Sequence, residues 1–179
     1  MELSKTAYVI LGMLQLGKRT GYEIKSLVDN SVRFFWAASY GQIYPELARL
    51  EELGLVRGEA DRSDGRGRKA YELTEAGREA LHAWLTLDEP LHFELRHEGM
   101  LKFFFSDTLT TEEQLAQIRR MREEHERVRD QLRAIEPNAE EKRAAGFSHP
   151  LTTLEWGIDY QQTIIDWCSQ LERRLSERS

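Results

Sequence analysis

The sequence predicts a mainly α-helical protein with one small β-hairpin, organised as two domains. Three observations predict this class. Apolar residues recur at helical spacing along most of the 179 residues, which is typical of amphipathic helices. Two short strand-like runs flank residues 61–67, where Asp-Gly and a second glycine suit a hairpin turn. Residues 87–90, Leu-Asp-Glu-Pro, are the most linker-like stretch in mid-chain, so we expect domains at residues 1–87 and 91–179.

Residues 40–56 are predicted to form the central helix of the first domain and its end. Ile43, Leu47 and Leu50 recur at i, i+4 and i+7, so they lie on one apolar face. Gly54 follows the last apolar turn and is expected to end the helix, because glycine readily adopts the left-handed conformation of a helix C-terminus.

The start of this helix has signals of its own. Ser39 is a good N-cap, and Gln42 three residues later completes a capping box. Pro45 lies past the expected first turn, removes one backbone hydrogen bond and should bend the helix there. Small and polar side chains opposite the apolar face suit a helix pressed into the major groove of DNA. We predict DNA contacts from Ser39, Tyr40, Gln42, Tyr44 and Arg49.

A basic hairpin is predicted after the central helix. Residues 55–60 and 68–74 are its expected strands, and cations gather at its tip, namely Arg62, Arg66, Arg68 and Lys69. Two further helices are predicted before the central one, the second beginning at a capping box of Thr20 and Glu23. The order helix, helix, helix, hairpin is that of a winged helix-turn-helix, which predicts DNA binding. The alternative is a small helix-plus-hairpin unit with a merely solvated charged loop.

Several runs in this region are longer and more specific than the fold alone requires. They are Ser-Tyr-Gly-Gln-Ile-Tyr-Pro-Glu-Leu at 39–47, Leu-Glu at 50–51, Gly-Leu-Val at 54–56, Gly-Arg at 65–66, Lys-Ala-Tyr at 69–71 and Thr-Glu-Ala-Gly at 74–77. Together they resemble the PadR family of bacterial transcriptional regulators. The resemblance implies a DNA-binding regulator, and specifically a repressor.

The second half of the chain is predicted to be helical, with a first helix over residues 93–106. Thr110 and Glu113 form a capping box at the start of a long helix to about Ile135. Its apolar residues keep nearly heptad spacing between charged flanks, which is typical of a coiled-coil helix. Residues 151–175 form the last helix, with two apolar rows that need two neighbours, so we expect a homodimer. The heptad seam consists of Ile118, Met121, His125, Val128, Leu132 and Ile135.

The resemblance extends into this half through Glu98 to Phe105, Gly157 to Tyr160 and Trp167. These residues are similar to the longer PadR subfamily, whose all-helical C-terminal domain dimerises through antiparallel helices. The symmetry of the expected dimer implies a palindromic operator, and the resemblance implies a small hydrophobic or phenolic effector. Aromatic residues expected to line an effector pocket are Trp36, Trp84, Phe93, Trp156 and Tyr160, and the alternative is that they are core.

Composition limits the remaining functions. The net charge is −6 and both halves are acidic, so DNA affinity must come from local cations such as those of the hairpin. We expect no enzyme activity, metal site or cofactor, because no catalytic, zinc-type or phosphate-binding pattern occurs. With one cysteine, no leader and no membrane-length apolar run, we expect a cytoplasmic protein without a membrane partner. The alternative function is a dimeric small-molecule-binding or protein-interaction adaptor whose DNA binding is lost or secondary.

Overall fold

We analysed a computed structural model of the chain. It describes residues 3–17, 19–29, 36, 40–60, 69–91, 93–136, 142, 144 and 146–177. The chain divides into two compact units, residues 1–91 and 92–179. The predicted fold class, mainly helical with a small β-wing, is confirmed.

In the first unit, the described residues form four helices and a two-stranded antiparallel sheet. A 3₁₀ turn, Tyr40–Gln42, leads directly into the third helix. Strand pairing places Val56 opposite Leu73 at one end of the hairpin. The elements are α1 (Lys5–Gln15), α2 (Gly21–Asp29), α3 (Ile43–Glu52), β1 (Val56–Ala60), β2 (Lys69–Leu73) and α4 (Glu75–Leu85).

One hydrophobic core holds this unit together, and helical periodicity predicted most of it. The apolar face of α3 is fully buried against α1 and α2. Because burial of each such side chain contributes about 1.5–3 kcal/mol, this face fixes how α3 sits in the unit. The largest fully buried side chains of this core are Ile10, Leu11, Ile24, Val28, Ile43, Leu47 and Leu50.

The start of α3 differs from the prediction. The helix begins at Ile43 after the 3₁₀ turn, and its N-cap is Gln42, which makes no side-chain capping bond. Pro45 therefore lies inside the first turn, where a backbone N–H has no intrahelical acceptor, and the expected loss of a hydrogen bond was wrong. Ser39 and its predicted capping role lie outside the described residues.

Two connections fix the sheet to the helices. The Thr20 hydroxyl accepts from the Glu23 N–H (3.2 Å) while the Glu23 carboxylate accepts from the Thr20 N–H (2.9 Å), which confirms the predicted capping box. Thr20 also forms an isolated antiparallel bridge with Ala70, so α2 begins against β2. On the other side, a Cβ on Gly77 would lie 2.0 Å from the Leu55 carbonyl oxygen. α4 can therefore pack this closely only because residue 77 is a glycine.

Three helices of the second unit are described from end to end. These are α5 (Glu98–Phe104), α6 (Thr111–Ile135) and α7 (His149–Ser176), with a 3₁₀ turn, Ser106–Thr108, between α5 and α6. The predicted capping box of Thr110 and Glu113 is present. The expected helix start near residue 93 was wrong, because α5 begins only at Glu98, with the His97 ring as its N-cap.

The core of the second unit lies between α6 and α7. Ile118 and Cys168 are fully buried, and the Phe103 ring meets Trp167 edge to face at 5.8 Å between centroids. Ile164, Trp167 and Leu171, which belong to the second apolar row of α7, are half-buried and also pack on this core. That row is therefore partly covered by the same chain. Phe104 and Phe105 are instead exposed. Among the described helices, none is long and apolar enough to cross a bilayer.

Candidate nucleic-acid interface

The solvent face of α3 presents the side chains that the sequence predicted for it. Gln42, Tyr44, Ala48 and Arg49 are exposed, while the opposite face is buried in the core. The N-terminal end of α3 therefore combines an amide, a phenol and small side chains on a rigidly packed helix. Such a surface can hydrogen-bond base edges and allow close approach of the helix. The side chain of Tyr40 and all of Ser39 lie outside the part of the chain that the structure describes.

The Tyr44 ring lies close to a glycine, Gly21. A Cβ on Gly21 would lie 2.6 Å from Tyr44 Cε1, so the Tyr44 ring occupies space above the start of α2. The ring is still 58% exposed, which leaves its hydroxyl facing solvent. Because Gly21 has no side chain, the Tyr44 ring can lie against the start of α2.

The two described cations of the predicted interface each have a carboxylate partner. Arg49 Nη1 lies 3.4 Å from Glu46 Oε1, which also accepts a hydrogen bond from the Ser4 hydroxyl at 2.8 Å. Lys69 Nζ lies 2.5 Å from Glu51 Oε2. These pairs reduce the positive charge that α3 and β2 present, so phosphate contact depends more on the remaining cations.

The Glu51 carboxylate joins α3 to both strands of the hairpin. Its Oε1 accepts from the Gly58 N–H on β1 at 3.2 Å, and its Oε2 meets Lys69 on β2. The Lys69 ammonium, by donating to the carboxylate, lowers the pKa of Glu51, and the carboxylate raises the pKa of Lys69. The base of the wing is therefore tied to α3 by charge, a link that no local sequence pattern signals.

The tip of the hairpin lies outside the described residues, including Arg62, Arg66 and Arg68. Near the opposite end of the strands lies an ion-pair cluster that the sequence did not predict. Glu72 on β2 lies 3.4 Å from Arg19 and 3.6 Å from Arg57, and both arginines are about two-thirds exposed. Exposed pairs of this kind contribute little stability, so these arginines exchange partners readily.

The predicted effector-lining aromatics fall into separate groups. Trp84 stacks on Tyr8 with 4.6 Å between centroids and belongs to the edge of the first core. Trp156 stacks on Tyr160 at 5.7 Å on α7. Trp36 is 38% exposed and Phe93 is 81% exposed. Within each unit, the structure therefore brings together only the pair on α7.

Tyr160 also lines a cavity of about 590 Å³ in the second unit. His97 and His125 form part of its wall, with ring nitrogens 3.0 Å apart. His125 continues to Gln161, a polar side chain only 7% exposed. The sequence placed His125 in the heptad seam but gave no sign of this polar connection, because its members are 28 and 36 residues apart.

Both units match known protein families. Residues 10–83 match the Transcriptional regulator PadR-like family, and residues 95–176 match the Virulence activator alpha C-term family. Residues 10–83 are a PadR-like domain, and the chain is homologous to PadR-like regulators over most of its length. The predicted resemblance is thereby confirmed for both halves of the chain.

Individual relatives agree with this assignment. The negative transcriptional regulator PadR of Bacillus subtilis is 36% identical over 110 residues, which span 59% of this chain and 59% of that protein. The crystal structure of Bacillus subtilis PadR with operator DNA is similar with a TM-score of 0.80 and 25% identity, over 94% of this chain and 98% of that one. The structure of the same protein with p-coumaric acid has a TM-score of 0.76 and 25% identity, over 98% and 99%.

The two family matches of this PadR-like chain fall within its two compact units. The PadR-like match ends before the unit boundary at residues 91 and 92, and the second match begins after it. The predicted roles of the two parts, DNA binding for residues 1–87 and dimerisation for residues 91–179, stay predictions.

Proposed function

We propose that this chain is a homodimeric transcriptional repressor that binds a palindromic operator through α3 and its wing. The observation that carries the proposal is the division of α3 into a fully buried apolar face and an exposed face with Gln42, Tyr44 and Arg49. A helix so anchored presents its polar side chains at fixed positions, as readout of base edges in the major groove requires. The solved complex of Bacillus subtilis PadR with operator DNA supports the same role.

Base contacts are assigned to Gln42 and Tyr44 at the exposed start of α3 and, from the sequence prediction, to Ser39 and Tyr40. Glutamine pairs favourably with adenine, offering both a donor and an acceptor. Phosphate contacts are assigned to Arg49 and to the wing-tip arginines, which fix orientation rather than sequence. Lys69 was predicted as a further contact, but its pairing with Glu51 gives it a role in positioning the wing instead. The wing-tip arginines are Arg62, Arg66 and Arg68.

A second copy of the chain is the proposed partner of the exposed apolar side chains on α5. Leu101, Phe104 and Phe105 are 61%, 79% and 63% exposed and lie within five residues of one another. A cluster of this kind usually marks an interface. A twofold dimer would present two α3 helices, which is why a palindromic site with half-sites one or two helical turns apart is expected.

Selection of duplexes from a random pool tests the assignment of Gln42. The full chain should enrich a symmetric motif, and Gln42→Ala should relax preference at one position of each half-site, because a bidentate base contact gives about 1–3 kcal/mol of discrimination. Gln131→Ala, at an exposed position on α6, is the matched control and should keep the motif. An unchanged motif with Gln42→Ala would remove this residue from the base-reading face.

The proposed effector is a small aromatic compound, with Trp36, Trp84, Phe93, Trp156 and Tyr160 as the predicted lining. Bacillus subtilis PadR has been solved with p-coumaric acid, and here Tyr160 borders the cavity of the second unit. Titration with p-coumaric acid should quench tryptophan fluorescence and release the selected duplex. Quenching without release would instead favour the small-molecule-binding adaptor.

A further inference from the structure

Three hydrogen bonds in series join the three helices of the second unit. The Met100 N–H of α5 donates to Nδ1 of His97 at 3.2 Å. Nε2 of His97 lies 3.0 Å from Nε2 of His125 on α6. Nδ1 of His125 lies 2.5 Å from Oε1 of Gln161 on α7. We refer to His97, His125 and Gln161 as the histidine relay.

The direction of this relay is fixed by its first donor. A backbone N–H can only donate, so Nδ1 of His97 carries no proton and Nε2 does. Nε2 of His97 therefore donates to Nε2 of His125, whose own proton is on Nδ1 and is donated to the Gln161 carbonyl oxygen. All four ring nitrogens are used in this arrangement.

An additional proton on either histidine ring would break one of these hydrogen bonds. On Nδ1 of His97 it would face the Met100 N–H and remove the N-cap of α5. On Nε2 of His125 it would put two N–H groups against each other at 3.0 Å. Gln161 is buried and both rings are half-buried, so water can replace the His125–Gln161 hydrogen bond only by opening the contact, whereas the Met100 N–H is already exposed.

The carboxylates nearest the relay are paired with cations, and Glu124 also interacts electrostatically with His125. Glu98 on α5 pairs with Lys102 at 2.6 Å, and Glu124 on α6 pairs with Arg127 at 2.5 Å. The other titratable or charged groups that line the same cavity are Arg96 from the segment before α5, Arg120 from α6 and Tyr160 from α7.

We propose that the histidine relay is a proton-sensitive latch, which holds α5 against α6 and α7 at neutral pH and releases it in acid. The latch acts on a short helix of seven residues with no buried side chain of its own. Besides the relay, α5 is held by Phe103, which meets Trp167 edge to face, and by the close approach of Gly99 to Met121, so protonation of one histidine weakens its docking.

The pH range over which the latch opens follows from the direction in which the pKa of His97 is shifted. Burial, and secondarily the neighbouring His125, lowers the pKa of His97 below its ordinary value. The open state binds a proton at about pH 6.5, whereas the docked state binds it only at lower pH. Docking is therefore fully stabilised above about pH 6.5 and weakens as the pH falls below it. For one proton, the opening equilibrium rises about tenfold from pH 7.5 to 5.5 in the limit where docked His97 takes up no proton.

The consequence for assembly rests on the proposed dimer. α5 and the residue after it carry the exposed Leu101, Phe104 and Phe105, so releasing α5 disperses the apolar surface assigned to the second copy. Acid should then weaken dimerisation in parallel with α5 docking. The latch itself does not depend on DNA binding or on the dimer.

Native-state hydrogen exchange of the full chain tests the latch at a single amide. Among the described groups, the Met100 N–H is held by the His97 ring, so its protection factor, corrected for intrinsic exchange, reports docking of α5. This protection should fall about tenfold between pH 7.5 and 5.5, while the amide of Ile10 in the first unit stays unchanged. A constant protection factor at Met100 would overturn the proposal.

The matched variant is His97→Asn, because asparagine is a good N-cap but does not titrate. It should keep α5 formed and lose the pH response, whereas a response equal to that of the original chain would refute the assignment. His97→Ser, which also caps a helix but does not titrate, serves if the first variant fails to fold, and should lose the response as well. EDTA should change nothing, since a metal-bridged histidine pair would lose its pH response on chelation.

Sedimentation at both pH values separates the latch from the dimer. A tenfold change at Met100 with weaker association in acid supports both. If the Met100 protection factor changes tenfold but the chain is already monomeric at pH 7.5, the latch is supported and the proposed dimer is refuted. Weaker association in acid with unchanged Met100 protection would refute the latch.

Discussion

Lys69 offers the sharpest test of how the wing meets DNA. In a protein–DNA complex, each phosphate neutralised by a cation adds about −0.9 to the slope of log K against log salt concentration. Lys69 was predicted to be such a cation, yet its ammonium is 2.5 Å from Glu51, whose other oxygen is bonded to the Gly58 N–H. We therefore expect Lys69→Met to leave the slope unchanged within about 0.3, a third of one contact.

Arg66→Met at the wing tip is the comparison. Removing a cation that does contact phosphate should reduce the slope by about 0.9 per subunit and weaken all sequences alike. Glu51→Gln provides the reverse change, since the amide oxygen can still accept from the Gly58 N–H while Lys69 loses its counter-charge. This variant should make the slope steeper by up to about 0.9 per subunit.

The assay is fluorescence anisotropy of a labelled operator duplex titrated at several salt concentrations. If Lys69→Met reduced the slope of log K against log salt concentration by about 0.9 per subunit, the reasoning would be refuted. Such a result would mean that DNA displaces Glu51 from Lys69. A slope unaltered by Glu51→Gln would also contradict it, since the released ammonium would then lie out of reach of the backbone.

Two further predictions concern the fold. Gly77→Ala should destabilise the first unit by about 1–3 kcal/mol, since its Cβ would lie 2.0 Å from the Leu55 carbonyl oxygen, whereas Gly12→Ala on α1, with nothing within 4 Å, should not destabilise it. Thermal unfolding would show this as a drop of several degrees for Gly77→Ala alone, and equal melting temperatures would contradict it. Cys168 should react with a disulfide reagent at least about tenfold more slowly in the folded chain than in urea, because burial raises the pKa of its thiol. Equal rates in the two states would show that the core of α6 and α7 is open.

Periodicity predicted the buried faces of the helices because those faces are set by local geometry. Ile43, Leu47 and Leu50 repeat at helical spacing, and the structure buries all three. The caps at Thr20 and Thr110 were also predictable, because a capping box lies within four residues of sequence. Such features depend on neighbours along the chain, so the sequence alone specifies them.

Features that depend on distant residues were missed. The start of α5 at Glu98 follows from the His97 ring acting as a cap, and that ring is oriented by His125 on another helix. The same applies to Glu51, whose partners lie 7 and 18 residues further along the chain. The candidate DNA-contacting face was predictable as a face, but the neutralisation of its cations was not.

The central claim is that the exposed face of α3 and the wing bind DNA in a sequence-dependent manner. The most direct measurement is a salt titration of binding to the duplex just upstream of the protein's own gene, compared with a scrambled duplex of equal length. We predict tight binding to the first duplex, with several phosphate contacts evident in a steep slope, and much weaker binding to the second. Weak binding, equal on both duplexes, would contradict the account.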